Sequence, residues 1–256
     1  MHSGYNAPIV QTDVFPDSGA SGRPWGLTAT LGLSVVIWCA LELLQAAMGT
    51  STEDVLVMLR LIDPSQSAQA TSFAVISCVS AVLCGALVIT AARLRDDLRI
   101  RSYLGLGPVP GKDLLHWLFV VAVIVVQADL VLYLVKGELL PAEWVALYRT
   151  VQSPALFWFA LVVVLPTFEE LLFRGFIFEG IRASWLGGVG AVVITALAWT
   201  LAHRQDDPLE FAIIFIIGVL FGMARLRTGA ILVTIAMHIL YNVISVGEMS
   251  WLAVHG

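Results

Sequence analysis

The chain reads as an all-α polytopic membrane protein, a bundle of about seven transmembrane helices, and three observations predict this. Hydrophobic residues make up 59% of the 256 positions and charged residues only 13%, where a water-exposed domain carries about 25% charge. Seven apolar stretches, residues 25–48, 70–92, 114–135, 155–181, 185–202, 208–224 and 228–246, take up 150 positions. A helical span needs roughly 20 residues at 1.5 Å each. The stretch 70–92 runs 23 residues without a formal charge, far beyond the alternating segments of about 10 residues that build a membrane β-barrel.

Residues 1–24 are polar and rich in turn formers, with no charged tip followed by an apolar core. They are expected to form a polar cytoplasmic tail and not a secretory leader. The connection after the second stretch carries Arg93, Arg95, Arg99, Arg101 and Lys112, the densest basic cluster in the chain. With seven spans it shares a side with Arg23, Arg182, Arg225 and Arg227, against Arg60, Lys136, Arg149 and Arg204 on the other. The positive-inside rule then puts the N-terminus in the cytoplasm. Residues 93–104 read equally well as an amphipathic surface helix or as a charged loop, broken by GLGPVPG. The net charge of −5 and the scattered basic residues leave no nucleic-acid tract. Cys39, Cys78 and Cys84 fall inside spans without CxxC spacing and read as small buried apolar residues. Glu42 with Gln45, and Gln127 with Asp129, read either as cavity lining or as interhelical contacts.

Ionisable residues inside a span are expensive and point to function. The fourth stretch holds Glu169, Glu170 and Arg174 in LPTFEELLFRG, after a Pro166 that should kink or open the helix. Glu170 and Arg174 are four apart and share a face; Glu169 is turned away by about 100°. The arginine therefore balances one carboxylate, and the other needs a partner from another helix, for which histidine is the obvious supply. The fifth stretch ends AWTLAHRQDD with His203 one turn after Trp199, and the seventh puts His238 and Asn242 on one face. Gly218 and Gly222 in the sixth form a close-packing surface. His2, His116 and His255 sit near termini or at a span end and carry no signal.

Glu169, His203, His238 and Asn242 together form a hydrolytic kit without a side-chain nucleophile. A buried carboxylate takes a proton from water, imidazoles donate to a leaving amine, and an amide donates to an oxyanion. Zinc is the near competitor, since two histidines and a glutamate are also a zinc ligand set. The absence of HExxH or any local chelating pair argues for no metal cofactor. Ser184 and Ser245 lack GxSxG context, which weakens a covalent mechanism.

These residues resemble the type II CAAX prenyl endopeptidase and bacteriocin-processing group of intramembrane proteases, the CPBP or Abi family. EELLFR with Gly175 is similar to the family's first motif. WTLAH resembles the second, with Trp199 where phenylalanine is usual, and HILYN resembles the third. The resemblance covers residues 155–246. It implies water activation by Glu169 and His203, oxyanion stabilisation by His238 and Asn242, and positioning by Glu170 and Arg174. The implied organisation is a tail over 1–24, N-terminal membrane helices of unassigned role over 25–150, and a catalytic membrane core over 151–256. The implied protein is a multi-pass hydrolase of a prokaryotic inner membrane acting on a peptide or small membrane-protein substrate, with the lipid bilayer as its other partner. Two other classes stay open: a non-catalytic binding, immunity or scaffold protein, and a transporter, for which no internal repeat speaks.

One conflict is visible in advance. At 1.5 Å per residue from the proposed cytoplasmic helix ends, Glu169 lies roughly 20 Å deep, His238 roughly 15 Å and His203 roughly 27 Å. The function nevertheless requires them to converge, so the fourth helix is expected to extend past the membrane over 178–182 and the fifth to tilt or to begin outside the hydrocarbon.

Overall fold

The structure, a computed structural model, describes residues 24–49, 52, 56–57, 61–63, 69–95, 100–204 and 206–256. The expected tail lies outside the described residues but for Pro24. So do Arg60 and residues 96–99, which include Arg99.

Every described element is helical. The long apolar runs carry almost no competing side-chain polarity, so the backbone satisfies its own hydrogen bonds, as a chain in lipid must. In order, these are α1 (Leu27–Gly49), α2 (Gln69–Arg93), the single turn α3 (Ile100–Tyr103), α4 (Gly111–Lys136), the short α5 (Ala142–Tyr148), α6 (Pro154–Arg182), α7 (Gly187–Ala202), α8 (Pro208–Thr228) and α9 (Ile231–His255). The protein is an all-α, polytopic membrane protein: among the described residues, α1, α2, α4, α6, α8 and α9 are long and apolar enough to cross a membrane. The expected fifth span forms as α7 with 16 residues. At 1.5 Å per residue it rises about 24 Å, short of a hydrocarbon core of about 30 Å. Six long helices and one short one thus stand where about seven spans were expected. The region 93–104 is helical to Arg93 and again over Ile100–Tyr103.

The helices alternate in direction. At one end of the bundle Trp25 Nε1 donates to the Ala91 carbonyl, and Glu179 lies 2.6 Å from Arg182 and 3.7 Å from Arg225. At the other end Lys136 pairs with Asp207 and Glu210 at 3.1 and 2.6 Å, and Arg204 with Glu42 at 2.6 Å. The connection after α3 is pinned to the first end, where Ile231 N–H donates to the Gly105 carbonyl. Gly105 has φ +71°, and a side chain there would meet the Arg225 guanidinium at 2.7 Å, so glycine is required twice over. Beside it Tyr103 is buried, and burial pushes its phenol well above the usual range.

Two glycines set the central packing. A Cβ on Gly218 would stand 3.1 Å from Trp199 and 3.2 Å from Ala196, and one on Gly222 would stand 3.1 Å from Val192. The expected close-packing surface of α8 is therefore occupied by α7, and it brings Trp199 to the middle of the bundle. The early polar residues are interhelical contacts: Gln45 Nε2 donates to Ser80, Glu42 meets Arg204, and Asp129 hydrogen-bonds Glu248.

Candidate active site

Helix α6 is the spine of the site. It passes through two π-helical stretches, Phe159–Val164 and Leu171–Ile177, separated by one α-helical turn and a half, Leu165–Glu170. Such widened turns inside α-helices are frequent at functional sites. Pro166 sits directly after the first, where a regular helix would have to break.

Glu170 points into the protein and is fully buried. Its Oε1 accepts from Arg174 Nη1 at 2.9 Å and lies 3.0 Å from His238 Nδ1. The expected contact between Glu170 and Arg174 is present. The Arg174 guanidinium, also fully buried, lies 4.8 Å from the ring centre of Trp199 and 5.3 Å from that of Phe221, and its Nη2 donates to the Gly218 carbonyl at 3.2 Å. A charge in lipid is tolerated when neutralised and hydrogen-bonded, and these contacts supply both.

Glu169, one residue earlier, faces a different set. Its Oε2 accepts from Trp199 Nε1 at 2.6 Å and stands 4.0 Å from His238 Nε2. His238 therefore bridges the two neighbouring glutamates, one on each ring nitrogen. Since the Glu170 carboxylate only accepts, Nδ1 of His238 carries a proton and Nε2 is aimed at Glu169.

His203 caps the C-terminus of α7. Its Nδ1 lies 2.8 Å from the Trp199 carbonyl, which only accepts, so Nδ1 carries a proton and Nε2 is the nitrogen not engaged by this bond. The His203 and His238 rings pack edge-on to the Trp199 indole, with centres 4.5 and 5.3 Å from it. Trp199 is thus the hub: its N–H holds Glu169, its carbonyl orients His203, and both imidazoles pack against its ring. Glu169, His203 and His238, whose depths conflicted, each contact Trp199.

Asn242 also reaches this region, but its Nδ2 donates to the Leu161 carbonyl at 2.6 Å. One amide hydrogen is committed there and the second is left. Next to it opens a cavity of 210 Å3 lined by His203, Tyr241, Asn242, Ser245 and Glu210 among apolar side chains. Leu132, Leu140 and Trp144 from α4, α5 and their connection complete its wall, so helices before residue 150 help to build it. Lys136 stands over Glu210 at 2.6 Å, an ion pair beside the cavity. Neither Trp199 as a donor nor Tyr241 as lining is foreseen from sequence. The signals for Trp199 are its place one turn before His203 and its place in WTLAH where the resembled motif usually has phenylalanine.

Among the described residues no group of three or more His, Cys, Asp or Glu side chains is arranged to hold a metal ion.

Comparison with known proteins bears on the same stretch. Residues 151–244 match the family model described as Type II CAAX prenyl endopeptidase Rce1-like. All six candidate residues, from Glu169 to Asn242, fall within the match. A curated protein of Escherichia coli, an uncharacterized 24.3 kDa protein, is 33% identical over 81 residues, 30% of this chain and 37% of that protein. The chain therefore aligns with little more than a third of the length of the curated relative it matches. No solved structure matches the chain.

Proposed function

We propose that the protein is an intramembrane endopeptidase that hydrolyses peptide bonds of membrane-associated substrates, prenylated CAAX-type chains among them, with water activated by Glu169 and His203. The observation that carries this reading is the split between the adjacent glutamates. Glu170 is neutralised by Arg174, whereas among the described residues Glu169 makes no ion pair with a lysine or arginine and faces Trp199 and His238. The family match over residues 151–244 supports the same reading.

In the proposed reaction Glu169 takes a proton from water while His203 Nε2 accepts its second hydrogen bond. The water oxygen adds to the peptide carbonyl carbon, whose oxygen becomes an oxyanion. His238, whose Nδ1 is held by Glu170, turns its Nε2 to that oxyanion, and the second amide hydrogen of Asn242 donates to it. The proton held by Glu169 passes to the departing nitrogen and the C–N bond breaks, leaving a carboxylic acid and an amine; the acid proton then passes through His203 Nε2 to the amine, giving a carboxylate and an ammonium. Glu170 and Arg174 hold His238 and α8 in place throughout. No step is routed through a metal. The protein is proposed to sit in a prokaryotic inner membrane with its N-terminus in the cytoplasm.

Reconstitution in liposomes with a library of membrane-protein peptides, read by mass spectrometry, tests the reading. New termini that appear with the wild-type protein and vanish with Glu169→Gln support it. Peptides that are retained by the protein but never cut would favour a binding protein instead.

A further inference from the structure

A proline in the middle of a membrane helix leaves a backbone carbonyl without its donor, and lipid offers no water to replace it. In α6 the position of that carbonyl can be read from the hydrogen-bond register. Over Phe159–Val164 the chain runs in the π register, and Leu165 N–H donates to the Ala160 carbonyl, five residues back. The next bond in that register would run from residue 166 to Leu161, and residue 166 is proline. Two side chains supply donors at this break. Thr167 Oγ1 donates locally to the Val163 carbonyl at 2.6 Å. Asn242 Nδ2 donates to the Leu161 carbonyl at 2.6 Å, and it comes from another helix, α9, one turn after His238.

We infer that Asn242, besides the oxyanion contact proposed for its second amide hydrogen, also positions the site: the hydrogen it gives to the Leu161 carbonyl stands in for the N–H that Pro166 lacks, tying the break in α6 to the helix that carries His238. Pro166 creates the unmet carbonyl, and Asn242 meets it with a bond that only α9 delivers. The pair fixes α9 against α6 just upstream of Glu169 and Glu170, so His238 arrives between the two carboxylates. An alanine at 166 would let α6 satisfy itself and would remove the need for the tie. This role goes beyond the hydrolytic reading and holds for whatever reaction the site performs.

Four proteins test it: wild type, Asn242→Ala, Pro166→Ala and the double variant. Thermal midpoints are measured in detergent micelles. The Leu161 carbonyl is followed by nuclear magnetic resonance, with leucine carbonyls labelled with 13C and valine amides with 15N to select the six Leu-Val pairs of the chain, among which Leu161–Val162 is assigned by its loss in Val162→Ile. N242A should lower the midpoint by about 3–6 °C, as expected for an unmet buried carbonyl in a chain of this size. It should also move the Leu161 carbonyl signal upfield. In the P166A background the same deletion should lower the midpoint by less than half as much. Equal losses in both backgrounds, or a Leu161 signal that ignores N242A, would overturn the inference. Should N242A fail to fold, Asn242→Ser takes its place and the carbonyl shift alone decides. None of these readouts needs a substrate, so failure of the proteolytic reading would leave this test standing.

Discussion

At the scale of single residues, two adjacent glutamates take different partners because a helix turns about 100° per residue. Glu170 shares a face with Arg174 and is sealed with it; Glu169 is turned to Trp199 and His238. That division follows from spacing alone and is legible in the sequence. Other features were not. His238 reads as a free donor in the sequence, yet its Nδ1 is bound to Glu170. Asn242 reads the same way, yet one hydrogen goes to a backbone carbonyl. Backbone acceptors are absent from any sequence pattern, and this is why both commitments were invisible. Arg174→Lys keeps the charge but loses the planar stack between Trp199 and Phe221 and the bond to the Gly218 carbonyl. It should lower stability by about 2–4 kcal/mol, measured by equilibrium unfolding in mixed micelles. A loss within 0.5 kcal/mol of zero would show that a point charge suffices.

At the scale of elements, helix positions were legible and helix character was not. All seven apolar stretches are helices, but the π register of α6 and the shortness of α7 depend on tertiary fit, which hydropathy does not encode. Packing glycines are a middle case, visible as a spacing of four and explained only by what they touch. Gly218→Ala drives a methyl against Trp199 and Ala196 and should cost about 1–3 kcal/mol. Gly32→Ala, with nothing within 4 Å, should be neutral or stabilising by up to about 1 kcal/mol, since alanine favours the helix. Equal effects would remove the packing argument. The start of α8 offers a pH test. Asp207 caps it, accepting from Leu209 and Glu210 N–H at 2.9 and 3.0 Å. The Glu210 N–H first, and then Lys136, hold its carboxyl below the usual carboxylate value. A lowered folded value means that the stabilisation is fully present above the unfolded value, about 3.9, and is lost as pH falls through the folded one. Wild type should therefore be more stable than Asp207→Ala at neutral pH, and the two should converge in strong acid. A stability gap that does not shrink on acidification would count against the cap.

At the scale of the molecule, the alternation of helices puts the ion cluster of Glu179, Arg182 and Arg225 at one end and that of Lys136, Asp207 and Glu210 at the other. The excess of Lys and Arg lies at the first end, so that end should be cytoplasmic. In a background with Cys39, Cys78 and Cys84 replaced, a cysteine at Leu106 should react with an impermeant maleimide only after the membrane is opened. One at Glu138 should react in intact cells; the reverse pattern would invert the topology.

The central claim is that Glu169 does chemistry while its neighbour Glu170 holds structure. It is tested most directly by measuring, on the same reconstituted samples, single-turnover peptide cleavage and thermal midpoint for Glu169→Gln and Glu170→Gln. The account predicts that E169Q stays within about 2 °C of wild type, under 1 kcal/mol for a chain of this size. Its cleavage should fall by a factor of about 1,000, on the order of 4 kcal/mol of transition-state stabilisation. E170Q should lower the midpoint by about 6 °C or more, because it leaves Arg174 buried without its counter-charge. An E169Q protein that still cleaves at the wild-type rate, or an E170Q protein as stable as wild type, would contradict it.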